Sequence, residues 1–163
     1  MAVASVIIVL DAMKNIVNNI TFRSVTIADA DALVAIRIEA MRESLERVGR
    51  FDELRARERF SSTFEPQHTQ YVLLNGQVAG FAVIKNMPDY LKLDRLYIRP
   101  IFQRQGVGVA VLQELFAHAV SENKPIHVGA FKGSESNQFY LRHGFKLVEA
   151  AEFDNYYIWN PDL

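Results

Sequence analysis

The sequence predicts an α/β (α+β) fold: a mixed, mostly antiparallel central sheet of about seven strands flanked by about four helices. Two local patterns and the order of elements carry this expectation. Asn75-Gly76 separates two apolar runs, 69–74 and 77–85, and is the strongest hairpin signal in the chain, because a type I′ turn needs positive φ at both central positions. Residues 91–119 begin as an extended apolar run (Leu91, Leu93, Leu96, Ile98) and pass through a glycine-bearing turn. They continue as an amphipathic helix with Val111, Leu112, Leu115, Phe116 and Ala119 on one side. Around these two anchors, strand and helix patterns follow one another as β-α-α-β-β-β-α-β-α-β-β.

The elements read as follows. Residues 20–25 alternate as a first strand. Thr26 to Asp29 fits a capping box for a helix with Leu33, Ile36 and Ala40 on its buried stripe, and the pattern breaks at Gly49. Asp52 caps a second, strongly charged helix over 53–60. Strands at 69–74, 77–85 and 90–98 form an antiparallel meander, turned the second time by Met87-Pro88-Asp89. A helix is expected from about Gln103 to Val120. A short strand over 126–131 and a helix over 134–143, closed by Gly144, come next. Strands at 145–149 and 153–159 end the chain. With no repeat or linker, residues 20–163 read as one domain and 1–19 as an N-terminal appendage. Met13 is the expected natural start, because Met13-Lys14-Asn15-Ile16 leads straight towards the first strand.

Composition narrows the function. The 163 residues are half hydrophobic and 23% charged, with a net charge of −1, which describes a globular chain. A near-neutral balance gives no electrostatic reason to expect nucleic acid or a membrane as partner. The apolar run at 2–10 is too short to span a bilayer and has no basic flank of the secretory kind. There is no cysteine, which excludes disulfides, thiolate zinc sites and a cysteine nucleophile; a cytoplasmic location is expected.

The chemistry centres on Gln103-Arg104-Gln105-Gly106-Val107-Gly108. A strand that runs through glycines into a helix places unpartnered N–H groups and the positive end of the helix dipole together, where an anion can be held. The spacing is neither the dinucleotide pattern nor a P-loop, because position 111 is Val and no Gly-Lys-Ser/Thr follows. What stands here, Q-x-x-G-x-G after Arg99-Pro100, resembles the acetyl-CoA motif of the GNAT superfamily of N-acetyltransferases. A second stretch, Phe139-Tyr140-Leu141-Arg142-His143-Gly144-Phe145, resembles the family's F-Y-x-x-x-G-F element, and the element order over roughly 20–160 is similar to the family arrangement.

The resemblance implies acetyl-CoA as cosubstrate and no metal. It implies that the diphosphate rests on the amides of Gln103, Arg104, Gln105, Gly106, Val107 and Gly108, with the Arg104 guanidinium adding charge. It implies that Leu96, Tyr97 and Ile98 pair with the pantetheine arm in a gap between the fourth and fifth strands. The N–H near Leu96 would then hold the thioester oxygen. Tyr140 matches the general acid that protonates the departing thiolate, and Asn137 is expected near the cofactor. Many relatives instead carry an asparagine seven residues before the tyrosine, where this chain has Gly133.

For the base, the family positions map onto Lys92 and Asp94, and Asp94 is the candidate. A lysine-type amine near pKa 10.4 lies about 8 kcal/mol from an ordinary carboxylate, which favours a water relay or a desolvated amine over direct abstraction. Ion pairing of Asp94 with a cation such as Lys92 is an equal reading. His68, His118, His127 and His143 lack metal-ligand spacing and read as structural, with His127 a reserve base. In the segment that borders the family's acceptor pocket, Arg42, Arg50 or Arg55 is the candidate for an acceptor carboxylate, against the plainer reading of a solvated charged helix. The expected activity is acetyl transfer to a primary amine of a small molecule by direct attack in a ternary complex. A catalytically silent acyl-CoA-binding module and a protein lysine or N-terminal acetyltransferase are the alternatives. A homodimer stays open.

Overall fold

The computed structural model describes residues 19–47, 49 and 51–162. Residues 1–18, which hold the Met13 start and all of the appendage but Asn19, lie outside them, as does Arg50. Seven strands and four helices follow in the expected order: β1 (Ile20–Ser24), α1 (Ala30–Arg47), α2 (Glu53–Thr63), β2 (Thr69–Leu74), β3 (Gln77–Asn86), β4 (Leu91–Ile98), α3 (Val107–Glu122), β5 (Ile126–Phe131), α4 (Ser136–Arg142), β6 (Lys146–Ala150) and β7 (Asp154–Trp159).

Local chemistry explains the boundaries. Asp29 accepts the Thr26 N–H at 2.8 Å while the Thr26 hydroxyl takes the Ala28 N–H at 3.3 Å, and a single 3₁₀ turn leads into α1. The Asp52 carboxylate caps α2 through the Arg55 N–H at 3.2 Å. Asn75 and Gly76 take φ of +52° and +79°, as a type I′ turn requires. Two boundaries differ by three residues or more: α2 runs on to Thr63 rather than Phe60, and α3 starts at Val107 rather than near Gln103. Arg104 and Gly106 both have left-handed backbone, φ +62° and +83°, which no α-helix admits. The left-handed Gly133, φ +86°, lies in the turn before α4, which begins at Ser136 instead of Ser134.

The sheet order is β1-β2-β3-β4-β5-β7-β6, antiparallel throughout except for the central β4–β5 pair. On one face, Leu33, Val34, Ile36 and Ile38 of α1 and Phe60 of α2 pack against Tyr71, Phe81 and Val83. On the other, α3 lays Leu112, Leu115 and Ala119 over Leu91, Leu93, Ile126 and Val128, and Val107 and Val111 over Val72 and Ala82.

A bulge in β4 sets up the site. Leu93 pairs with Ile84 and Arg95 with Val83, so Asp94 is the extra residue. The inserted residue resets the alternation. Leu91 and Leu93 point to the α3 face, and so do Leu96 and Ile98, whereas Arg95 and Tyr97 are turned to the α1–α2 face. The apolar positions 91, 93, 96 and 98 step by two, three and two, and the step of three is the bulge written in the sequence.

Replacing Gly76 by Ala should cost about 1–2 kcal/mol through left-handed strain alone, because no atom lies within 4 Å of the added Cβ. Thermal unfolding of the two forms checks this, with a fall in Tm of about 2–4 °C per kcal/mol expected.

Candidate active site

The β4–β5 pairing ends after three positions, Leu91↔Ile126, Lys92↔His127 and Leu93↔Val128. Beyond the bulge the two strands part, and residues 95–98 keep partners only on β3. The Arg99 N–H bonds back to Ala79 O at 2.8 Å, so antiparallel alternation turns the N–H groups of Leu96 and Ile98 away from β3, into the gap. The parting opens a cleft of about 1940 Å³, lined by β4, β5, the turn before α3, α4 and the facing residues of α1 and α2.

At one end lies the turn. The Gln103 N–H is engaged with Pro100 O at 3.2 Å, and the Gln103 side chain donates to Ile98 O at 2.9 Å, which fastens the turn to the end of β4. Gln103 is thus an anchor whose amide is already bonded, contrary to its expected place among the open N–H donors. The Gln105 side chain is likewise folded back, onto Ile101 O at 2.9 Å. The first amide to bond into α3 belongs to Ala110, which donates to Gly106 O at 3.0 Å. The N–H groups of Val107, Gly108 and Val109 therefore precede the helical ladder. Val109 was not singled out from the motif, although any third helical residue shares this property. The first turn of α3 carries no acidic side chain that would compete for those donors. Arg104, held left-handed beside Gly106, lines the cleft.

Gly108 has a second role. A Cβ there would lie 3.0 Å from Cζ of Phe139, so the ring of one motif rests on the glycine of the other. This contact brings α4 against the start of α3, and Tyr140, the next residue, comes to line the cleft. Tyr140 is 4% exposed and packs edge-on against Phe139 and Phe145. Its hydroxyl has no hydrogen-bond partner among the described residues. No fully buried side-chain polar atom lacks a partner there, so this hydroxyl opens to the cleft. Burial, seconded by Tyr97, pushes its pKa up, and the group is a phenol at neutral pH.

Asn137 is placed differently from the expectation. Its Nδ2 donates to Phe131 O and Ser134 O, both at 2.9 Å, and its Oδ1 accepts from the Tyr157 hydroxyl at 2.7 Å and from Asn155 Nδ2 at 3.0 Å. It does not line the main cleft. An amide whose capacity is filled by β5, β7 and its own turn orients α4, and it leaves no group for a cofactor. The glycine at 133 has its own reason, the left-handed backbone there.

Asp94 lines the cleft with both oxygens facing ammonium groups, Lys92 Nζ at 3.2 Å and Lys85 Nζ at 3.7 Å. Lys85 is shared with Glu65 at 2.8 Å. His127 stacks on Tyr90, ring centroids 4.1 Å apart, and also lines the cleft. Burial, then the neighbouring Lys92, lowers its pKa, so its ring is neutral at pH 7. His68 and His118 face Glu65 and Glu122, and His143 Nδ1 lies 2.7 Å from Phe139 O. Among the described residues no group of three metal donors exists.

The arginines divide. Arg42 lies over Phe51 and 3.9 Å from Glu53, so it has a partner already; Arg55 lines the cleft. Arg37, Arg59 and Arg95 line it too and were not anticipated. Arg37 sits between Ile36 and Ile38 in the apolar stripe of α1, a position where a charge is itself a signal.

A mixed sheet parted beside an amide-bearing helix start is the architecture of the N-acetyltransferase fold. Among solved structures the chain superposes on PaiA N-acetyltransferase from Thermoplasma acidophilum in complex with coenzyme A, with a TM-score of 0.72 and 16% identity, over 86% of this chain and 98% of that one. An acetyltransferase from Thermus thermophilus gives 0.68 and 17%, over 87% and 97%. The family described as Acetyltransferase (GNAT) domain matches residues 39–161, and the chain belongs to that family. Uncharacterized N-acetyltransferases of Staphylococcus aureus, from strains COL and N315, are 35% identical over 75 residues, 45% of this chain and 47% of theirs. The chain thus matches about half the length of these curated relatives. Among the described residues no helix is long and apolar enough to cross a membrane.

Asn137→Ala should lower unfolding free energy by about 2–3 kcal/mol, because it strips partners from the Tyr157 hydroxyl and two carbonyls. Coenzyme A affinity, measured by calorimetry on the folded fraction, should stay within about twofold. His127 adds a pH signature. Its folded pKa lies below the unfolded value of 6.5, so its contribution to stability is complete above that pH and is lost as pH falls through the folded value. His127→Gln should make the denaturation midpoint fall less between about pH 7 and 5.

Proposed function

We propose that the protein is an acetyl-CoA-dependent N-acetyltransferase acting on a primary amine of a small molecule, by direct attack in a ternary complex. The observation that carries this reading is the unpaired edge of β4 at 94–98, with open helix-start amides at one end and an unpartnered phenol facing the same cleft. The donor set suits a cosubstrate with a diphosphate and an amide-bearing arm. The amides of Val107, Gly108 and Val109 and of the preceding turn, with Arg104, would take the diphosphate; the edge of Leu96, Tyr97 and Ile98 would take the arm.

Acetyl-CoA supplies an activated thioester: a C–N bond to the amine forms, the C–S bond breaks, one amine proton leaves to a base and the sulfur receives a proton. In this chain the Leu96 N–H, fixed by the strand, is the donor suited to the carbonyl oxygen as it gains negative charge. Tyr140, kept protonated by burial, donates from its hydroxyl to the departing sulfur. The amine proton leaves through water to Asp94 or directly to neutral His127; both line the cleft. An acceptor that arrives desolvated is easier to deprotonate, which lessens the mismatch between an alkylammonium and either base.

The ion pairs that hold Asp94 are the one observation favouring a silent acyl-CoA-binding module. A thiol-release assay over an amine panel separates the two: acceptor-stimulated release supports the enzyme, and tight coenzyme A binding without it supports the module. Tyr140→Phe should lower kcat about 10²- to 10⁴-fold with coenzyme A affinity nearly unchanged. An equal loss of affinity would reassign Tyr140 to packing.

A further inference from the structure

We infer that the acceptor end of the cleft is an anion subsite formed by Arg37, Arg59 and Arg95, with Arg55 one turn before Arg59. On this inference the preferred acceptor is an amine carrying a carboxylate or phosphate at a distance from its nitrogen. This rests on the acetyl-transfer reading for the amine and stands on separate observations for the anion.

Three polar or charged residues of the described chain are buried, and two are satisfied internally. Thr69 donates to Glu65 O at 2.8 Å, and Asn137 is filled as described above. The third is Arg37, 9% exposed. Its Nε reaches the Tyr97 hydroxyl at 3.4 Å and its Nη1 the Ala56 carbonyl at 2.8 Å. Both acceptors are neutral, and no carboxylate lies within 4 Å among the described residues. Nη2 has no partner there, and since no fully buried polar atom is left unbonded, it faces the cleft. A guanidinium cannot shed its proton to escape burial, so a counter-charge from outside is what this position lacks.

Two further cations add to the same field. Arg95 leans over the Phe60 ring, 5.4 Å from its centroid, and donates to the Thr63 hydroxyl. It too has no carboxylate within 4 Å among the described residues; burial weighs most against its charge, Arg37 and Arg59 repel it, and Tyr97 and Asp94 offset part of that repulsion. Five nearby acidic groups are engaged elsewhere: Asp94 with Lys85 and Lys92, Glu53 with Arg57 and Arg42, Asp52 at the N-cap of α2, Glu39 with Arg99, and Glu43 with Arg47; Glu46 also lines the cleft. The β4 bulge contributes directly, because it turns Arg95 and Tyr97 towards Arg37 while the neighbouring edge stays free. Repulsion among three guanidiniums is relieved by a multivalent oxyanion and worsened by a polycation.

The test uses the full chain and matched probes: β-alanine against β-alaninamide, phosphoethanolamine against ethanolamine, and spermidine. In thiol release from acetyl-CoA the acids should exceed their neutral counterparts, and spermidine should be poorest. Arg59→Gln and Arg95→Gln should lower kcat/KM for the acids about 10- to 100-fold more than for the neutral partners, mainly through KM. β-Alanine against phosphoethanolamine tells which oxyanion is preferred. Equal losses on acid and neutral partner, or spermidine as the best acceptor, would overturn the subsite. A thermal-shift series with succinate and inorganic phosphate needs no turnover. Stabilisation of the wild type that is lost in Arg59→Gln supports the subsite even if no amine is acetylated, in which case only the transfer reading fails. No stabilisation by either anion, with no preference for acids, refutes it. Arg59 lines the cleft but is itself exposed, so its variant tests the idea even if a change at Arg37 unfolds the chain.

Discussion

The structure depends on a broken pairing at the centre of its sheet. Backbone N–H and C=O groups in a sheet interior are ordinarily satisfied by the adjacent strand. Here β4 and β5 hold each other for three residues and then separate. The bulge at Asp94 makes the separation compatible with a continuous core, because it moves the strand's phase by one residue at the point of departure. Leu96 and Ile98 still reach the α3 side, so opening the cleft does not remove apolar burial from the core. A strand edge exposed in mid-sheet is a binding surface by construction, and its two ends are where chemistry and anchoring can be added.

One contact links those two ends. The Phe139 ring rests where Gly108 lacks a side chain, so the two recognisable motifs are halves of one packing unit. The bare glycine at the helix start admits the ring that positions Tyr140. Asn137 completes the arrangement from behind by tying α4 to β5 and β7. Packing and a saturated amide network thus fix the orientation of the Tyr140 ring without occupying its hydroxyl.

Charge is distributed in keeping with this division. Asp94, Glu39 and Glu43 on the cleft are paired with lysines or arginines, while Arg37 and Arg95 have no carboxylate within 4 Å among the described residues. A net charge of −1 gives no hint of this, since composition sums over the surface and function follows the local field.

By itself the sequence determined the order of elements, the Asn75-Gly76 turn, the caps at Thr26 and Asp52, the strand-turn-helix connection at 98–107 and the family. Each of these rests on neighbours within a few residues, where propensity, capping and backbone sterics act. The step of three between Leu93 and Leu96 also announces the bulge, which a plain alternating pattern passes over. Only the tertiary structure decided which donors of the turn are open. The Gln103 amide is engaged through a 3₁₀ turn, and the α3 start depends on left-handed residues that composition does not specify. Tertiary contact likewise gave Asn137 to Tyr157 and Asn155, some twenty residues away, and set Asp94 between Lys85 and Lys92. The arginine cluster is the clearest case. Arg37, Arg59 and Arg95 belong to three different elements, and nothing but the packing of α1 and α2 on β4 brings their charges together.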